Sequence, residues 1–102
     1  MIIYNVTCNV EKPLASEWLE WMKSVHIPEV MASGCFLENK ILKLHNAESD
    51  DEGINYAIQY TCNNIETLER YRSEFGPDLQ AKTFEKYGNK VLAYRSVLEI
   101  IE

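Results

Sequence analysis

The chain has 102 residues, a net charge of −6 and ten lysine and arginine residues scattered along its length. This length is typical of one domain with one hydrophobic core, so we expect neither a second domain nor a need for metal or disulfide bonds. The scattered positive charge argues against a nucleic-acid partner, and the absence of a long apolar run argues against a membrane partner.

The first predicted elements are a strand and an interrupted helix. Residues 2–10 alternate between apolar and more polar side chains, which predicts a strand. From Pro13 onward the apolar residues recur with helical spacing and form the stripe Leu14, Trp18, Trp21, Met22 and Val25. Pro28 disfavours helical geometry at Ile27, so the helix either kinks there or restarts with Pro28 as its first residue. Gly34 is the predicted helix stop.

The middle of the chain predicts a hairpin. Residues 35–45 are extended in character but carry charge on both faces, which is typical of an edge strand. Residues 46–53 are acidic and rich in turn formers, so we expect a solvated hairpin loop; their carboxylates lack the spacing of an EF-hand calcium site. Residues 54–62 alternate cleanly and predict a second well-defined strand.

A second helical region and a last strand complete the pattern. Asn63 and Glu66 have the spacing of a capping box and predict a helix, which Gly76–Pro77 interrupts. A further helix follows the proline and ends at Gly88. Residues 90–101 predict the last strand. One of its faces would carry Leu92, Tyr94, Leu98 and Ile100, and the other Val91, Ala93, Arg95 and Val97.

This order of elements predicts an α+β, ferredoxin-like βαββαβ domain over residues 1–102. Two β-α-β units with right-handed crossovers interleave into a four-stranded antiparallel sheet with the helices on one face. We expect the first and third strands to be central, because their alternation is the cleanest.

The sheet face away from the helices is predicted to be polar with apolar interruptions. It would carry Asn5, Thr7, Asn9, Asn55, Gln59, Thr61 and Arg95, interrupted by Ile3, Ala57, Val91, Ala93 and Val97. Such a face can be solvated, or it can pack against the same face of a second copy. We favour a homodimer, because the apolar residues would otherwise form an exposed patch.

Six short segments carry a resemblance that runs the length of the chain: MIIYNVT at 1–7, WLEWM at 18–22, HIPEV at 26–30, GCF at 34–36, FGP at 75–77 and YR at 94–95. Together they resemble a family of small uncharacterised proteins, chiefly from Bacteroidetes, that is known only as a domain of unknown function. This family is similar to the dimeric α/β barrel superfamily, so the resemblance implies a ferredoxin-like fold. Some members of that superfamily are cofactor-free monooxygenases, isomerases or haem-degrading enzymes. None of their catalytic sets aligns here residue by residue, so no reaction is implied.

His26 is the candidate catalytic residue and also a candidate ligand-binding residue. It lies on the flank of the first helical stripe, just before Pro28. Histidine titrates near neutral pH and can act as an acid or a base. The alternative is that His26 caps the backbone carbonyl groups that Pro28 leaves free.

Four further residues are candidate ligand-binding residues. Trp21, with other aromatic residues, could line a ligand cavity or could fill the core. Asn5, Gln59 and Arg95 could bind an anionic or carbonyl-bearing ligand, with Arg95 as a bidentate donor. Alternatively, Arg95 pairs with a carboxylate across the dimer and the amides hold water.

Cys8, Cys35 and Cys62 lack the spacing of a metal site, and we expect them to be buried free thiols. We therefore predict no metal and no cofactor. The chain does not open with a signal-peptide pattern, so we also expect a cytoplasmic protein. The family resemblance implies that it is bacterial.

The sequence predicts an uncharacterised homodimer that binds a small organic ligand near Trp21, His26 and the polar sheet face. One alternative is a cofactor-independent monooxygenase or isomerase with His26 as acid or base. A second alternative is a structural or interaction module in which the polar face only makes the dimer.

Overall fold

The computed structural model describes residues 1–45 and 53–102. The strands are β1 (Ile2–Val10), β2 (Glu38–Lys43), β3 (Ile54–Cys62) and β4 (Val91–Glu99). The helices are α1 (Ala15–Trp21), α2 (Ile27–Met31), α3 (Ile65–Glu74) and α4 (Gly76–Tyr87), with 3₁₀ turns at Lys12–Leu14 and Gly88–Lys90. Except for Gly53, the predicted acidic hairpin loop lies outside the described residues.

The four strands form one antiparallel sheet in the order β2-β3-β1-β4. This confirms the ferredoxin-like α+β fold, with β1 and β3 in the centre. Tyr4 lies opposite Tyr60, and Val6 lies opposite Ile58, so the even-numbered side chains of both central strands face the helices. They pack with the apolar stripes of the helices into one core, whose most fully buried residues are Val10, Trp18, Val30, Ile58, Cys62 and Leu68. Burying each large apolar side chain contributes roughly 1.5–3 kcal/mol.

β4 presents the opposite faces from those predicted. The register places Arg95 beside Val6 and Ala93 beside Cys8, so these β4 residues face the helices. The free sheet face instead receives Leu92, Tyr94, Ser96 and Leu98. The prediction that Arg95 lies on the polar face with Asn5 and Gln59 is therefore wrong. Both faces of β4 carry apolar residues, so its alternation could not decide which side meets the core.

The first helical region continues through Pro28 by changing its hydrogen-bond pattern. A π-helical segment, Met22–His26, connects α1 to α2, and the Ile27 N–H donates to the Met22 carbonyl, five residues back. Pro28 then lies in the first turn of α2. The wider turn shifts the phase of the apolar stripe, so Val25 is 40% exposed although its spacing predicted burial.

The three cysteines are buried, as predicted. Within the two described ranges, no helix is both long and apolar enough to cross a membrane. The same ranges hold no group of three or more histidine, cysteine or acidic side chains placed to bind a metal ion.

The N-cap of α3 is Asn64 and not Asn63. Asn64 has an extended backbone, and its Oδ1 accepts hydrogen bonds from the Thr67 backbone N–H at 2.9 Å and the Thr67 hydroxyl at 2.8 Å. Two adjacent asparagines precede the helix, and the spacing from Asn63 to Glu66 favoured the wrong one.

We expect Asn64→Ala to lower the free energy of unfolding by about 1 kcal/mol, because the Thr67 N–H loses its acceptor. Urea denaturation followed by circular dichroism measures this change. Asn63→Ala is the matched control, and we expect it to change stability by less than roughly 0.5 kcal/mol. Equal losses in the two variants would show that Asn64 is not the cap.

Candidate functional site

A cavity of about 290 Å³ lies between the sheet and the helices, on the β4 side of the core. Its floor comes from three strands and includes Tyr4, Val6, Cys8, Ile58, Tyr60, Val91, Ala93 and Arg95. Its roof comes from the helices and includes Trp18, Met22, His26, Tyr71, Leu79, Gln80, Thr83 and Phe84. Ala93 and Arg95 remain exposed although they face the helix side, so the cavity opens along the edge strand.

The candidate ligand-binding residues divide between the two faces of the sheet. His26 and Arg95 both line the cavity. Trp21 lies behind His26, and its ring stacks on the imidazole with a centroid distance of 5.3 Å. Asn5 and Gln59 point to the opposite sheet face. The five residues therefore do not form one site.

The imidazole of His26 is held in place by aromatic packing. The planes of the Trp21 and His26 rings are only 25° apart, and the edge of Tyr87 meets Trp21 at 5.5 Å between centroids. The Tyr87 hydroxyl in turn donates to Glu17 Oε2 at 3.3 Å. Trp21 therefore positions His26, and its own ring does not line the cavity.

Thr83 is the hydrogen-bond partner of His26. The Thr83 hydroxyl lies 3.4 Å from His26 Nδ1 and 3.1 Å from the Leu79 carbonyl. When the hydroxyl donates its one proton to this carbonyl, Nδ1 is the donor to Thr83 and the Nε2 lone pair is free. Among the described residues, His26 Nε2 makes no hydrogen bond. In the same part of the chain, Trp18 Nε1 is the fully buried side-chain nitrogen that lacks a partner.

His26 does not cap the backbone carbonyl groups before Pro28. Among residues 1–45 and 53–102, neither of its ring nitrogens is hydrogen-bonded to a backbone group, and its contact is with the Thr83 hydroxyl. Burial is the main cause that lowers the pKa of His26. The Glu29 carboxylate raises this pKa, and the Arg95 guanidinium lowers it. The imidazole is therefore neutral at pH 7.

Arg95 shares the cavity wall with three titratable side chains from three different elements, Cys8, His26 and Tyr71. Its positive charge lowers the pKa of all three. Burial raises the pKa of the Cys8 thiol to about 11 and raises the pKa values of Tyr60 and Tyr71 well above the ordinary range. At neutral pH the thiol and both phenols are protonated and can donate hydrogen bonds.

The opposite sheet face carries a row of polar side chains that bond to one another. Gln59 Nε2 donates to Asn5 Oδ1 at 3.2 Å, and Asn5 Nδ2 donates to Thr7 at 3.0 Å and to Ser96 at 3.3 Å. Exposed apolar side chains flank this row: Leu42, Leu92, Tyr94 and Leu98.

Sequence reasoning missed Thr83 and Tyr71 as site residues. Thr83 lies four residues after Leu79 and Tyr71 lies three after Leu68, so both spacings indicated a shared helix face. The contact between Thr83 and His26 joins two helices 57 residues apart in the chain, which no local pattern predicts.

A family model described as "Domain of unknown function (DUF4286)" matches residues 1–101. No curated protein matches the chain. Similar solved structures include a protein of the ethyl tert-butyl ether d (EthD) family from Bacillus halodurans C-125, with a TM-score of 0.71 and 14% identity over 99% of this chain and 100% of that one.

Two further crystal structures are similar over nearly the whole chain. One is a dimeric ferredoxin-like protein from an uncultured marine organism, with a TM-score of 0.63 and 14% identity over 99% of this chain and 95% of that one. The other is a proposed antibiotic biosynthesis monooxygenase from Deinococcus radiodurans, with a TM-score of 0.64 and 14% identity over 100% of this chain and 94% of that one. At this identity the likeness shows the fold alone, which is ferredoxin-like.

The lowered pKa of His26 predicts a specific pH dependence of stability. Since the folded state disfavours the protonated imidazole, the stabilising contribution is complete above the unfolded pKa of about 6.5 and is lost as the pH falls through the lower folded pKa. Between these two pKa values the free energy of unfolding of the parent should fall by at most about 1.4 kcal/mol for each unit that the pH falls. His26→Gln should remove this dependence on pH.

Urea denaturation of the parent and the variant at pH 7.5, 6.5 and 5.5 measures this slope. His45→Gln, which removes an exposed histidine outside the cavity, is the control. If the parent and His26→Gln lose stability in parallel over this range, the imidazole is not held neutral by its surroundings.

Proposed function

The chain belongs to the DUF4286 family, a family of unknown function, and from its own geometry we propose that it is a homodimeric, cytoplasmic protein that binds a small organic molecule. The observation that carries this proposal is the 290 Å³ cavity whose walls hold both His26 and Arg95. Ligand sites combine a mostly apolar surface with a few oriented polar groups, and this cavity has both.

The size of the cavity limits the ligand. Pockets for drug-sized molecules span about 300–1,000 Å³, so this cavity is at the small end and suits a body of one or two rings. Tyr60 and Tyr71 offer ring surfaces, and Ile58 and Leu79 offer aliphatic ones. The unpartnered Nε2 of His26 accepts a hydrogen bond from a hydroxyl or N–H of the ligand.

The free sheet face supports the homodimer. Its central row of amides and hydroxyls is partly hydrogen-bonded within the chain, which lowers the cost of covering the row with a second copy. The flanking Leu92, Tyr94 and Leu98 then supply apolar contact, and a two-fold axis makes the two faces self-complementary. One of the proteins of similar fold is described as dimeric.

A catalytic role is the second candidate. It is favoured by the contact between His26 Nδ1 and Thr83, since a neutral imidazole whose Nδ1 donates to this hydroxyl can take a proton at Nε2 from a bound molecule. Arg95 would stabilise the negative charge that forms. This fits cofactor-independent monooxygenase or isomerase chemistry, and one protein of similar fold is a proposed monooxygenase. One variant separates the two candidate functions. If the protein is an enzyme, we expect His26→Gln to abolish turnover while the ligand still binds.

We expect Tyr94→Asp to convert the dimer into a monomer. The Tyr94 side chain is 71% exposed in the single chain, and a carboxylate there would be buried without a partner in the dimer. Size-exclusion chromatography with light scattering at micromolar concentration measures the mass. Ile65→Asp, which places the same charge on an exposed apolar residue of α3, should remain a dimer. A monomeric parent protein would remove the homodimer from the proposal.

We expect Ala93→Phe to block the cavity. Ala93 is exposed at the open side, so the larger ring can enter the cavity without disturbing the core. The neutral probe 2-naphthamide, titrated into the ¹⁵N-labelled parent, should shift the resonances of cavity residues, and Ala93→Phe should weaken its binding at least about tenfold. Ala81→Phe adds the same ring to an exposed position of α4 outside the cavity and should leave the affinity unchanged. If Ala81→Phe and Ala93→Phe have equal effects, the probe does not bind in this cavity.

A further inference from the structure

We propose that the ligand is a small monocarboxylate with a body of one or two rings, and that its carboxylate binds Arg95 at the open side of the cavity. This inference rests on the proposed function and names the class of molecule that the cavity takes.

The charge of the cavity wall is the first argument. The chain has 16 acidic and 10 basic residues, yet no aspartate or glutamate is among the described residues that line the cavity. Arg95 is the permanently charged residue of that described lining. The cavity therefore has the opposite charge from the chain as a whole.

The missing partner of Arg95 is the second argument. Within residues 1–45 and 53–102 its guanidinium makes neither an ion pair nor a side-chain hydrogen bond, whereas Arg70 and Arg72 each pair with a glutamate. Glu29 is already bound to Lys82 at 2.8 Å, and Glu17 accepts from the Tyr87 hydroxyl at 3.3 Å. Among the described residues the guanidinium of Arg95 is therefore free to pair with an anionic ligand.

The neighbours of Arg95 favour a carboxylate. A guanidinium presents a planar pair of N–H groups that matches the two oxygens of a carboxylate. Cys8, His26 and Tyr71, which line the same cavity, are uncharged at neutral pH and do not repel an anion. Val6, directly opposite Arg95 on β1, provides an apolar contact for the adjoining ring.

A single negative charge is favoured over a phosphate dianion. The described wall offers one guanidinium and no lysine, and a protein with a net charge of −6 repels a doubly charged ligand more strongly than a singly charged one. The rest of the wall is mostly apolar or aromatic, with Gln80, Thr83 and Asn89 as uncharged polar residues. The ligand is therefore an apolar body with one acidic group.

The test compares three probes with the same ring system: 2-naphthoate, 2-naphthamide and 2-naphthyl phosphate. Their dissociation constants are measured by NMR titration at pH 7.5 with the parent, Arg95→Gln and Arg70→Gln.

We expect the parent to bind the carboxylate at least about tenfold more tightly than the amide, because a charge-assisted pair replaces a neutral contact. Arg95→Gln should abolish this preference by weakening carboxylate binding, and a circular dichroism spectrum like that of the parent shows that the variant is folded. Arg70→Gln, which removes the same charge from a residue outside the cavity lining, should keep the preference.

The outcomes separate this inference from the function on which it rests. Equal affinities of the parent for the carboxylate and the amide would overturn the inference and leave a neutral ligand site. A carboxylate preference that survives in Arg95→Gln would overturn the role of Arg95. Tighter binding of the phosphate than of the carboxylate would overturn the assignment of a single charge. If no probe binds, the small-molecule function itself fails, and the inference fails with it.

Discussion

The pairing of β1 with both of its neighbours is the constraint on which the rest of the structure depends. A strand exposes alternate side chains to opposite faces, so the register on each side of β1 decides which residues of β3 and β4 meet the helices. A slip of one residue between β1 and β4 would move Arg95 to the other face of the sheet. The pairing of Val6 with Arg95 is therefore what brings the guanidinium to the side where the helices place His26.

The sequence was enough to predict the order of the elements and the central position of β1 and β3. Both strands alternate between strongly apolar and polar side chains, and only one of their faces can be buried. The last strand is different, because Ala93 and Val97 alternate with Leu92 and Leu98 and either set could have faced the core. Burial alone does not distinguish two apolar faces; the register with β1 does, and it is a long-range property.

The candidate site was predictable in part for a related reason. His26 drew attention through its chemistry and its position before a proline, and Arg95 through its charge. Their surroundings are non-local: Thr83 lies in α4, on a different helix, yet its hydroxyl is the hydrogen-bond partner of the imidazole. The predicted site also included Asn5 and Gln59, which the sheet places on its far side, where they bond to each other. Local patterns identified reactive side chains but not which of them share a space.

The π-helical turn makes one short stretch of the chain intolerant of any change in length. The turn accommodates one residue more than an α-helical turn would, and His26 is its last member. Deletion of a single residue between Trp21 and Pro28 would let the backbone relax to an ordinary helix and rotate the imidazole away from Thr83. The number of residues between Trp21 and Pro28 therefore decides whether a histidine can lie over the sheet beside Thr83.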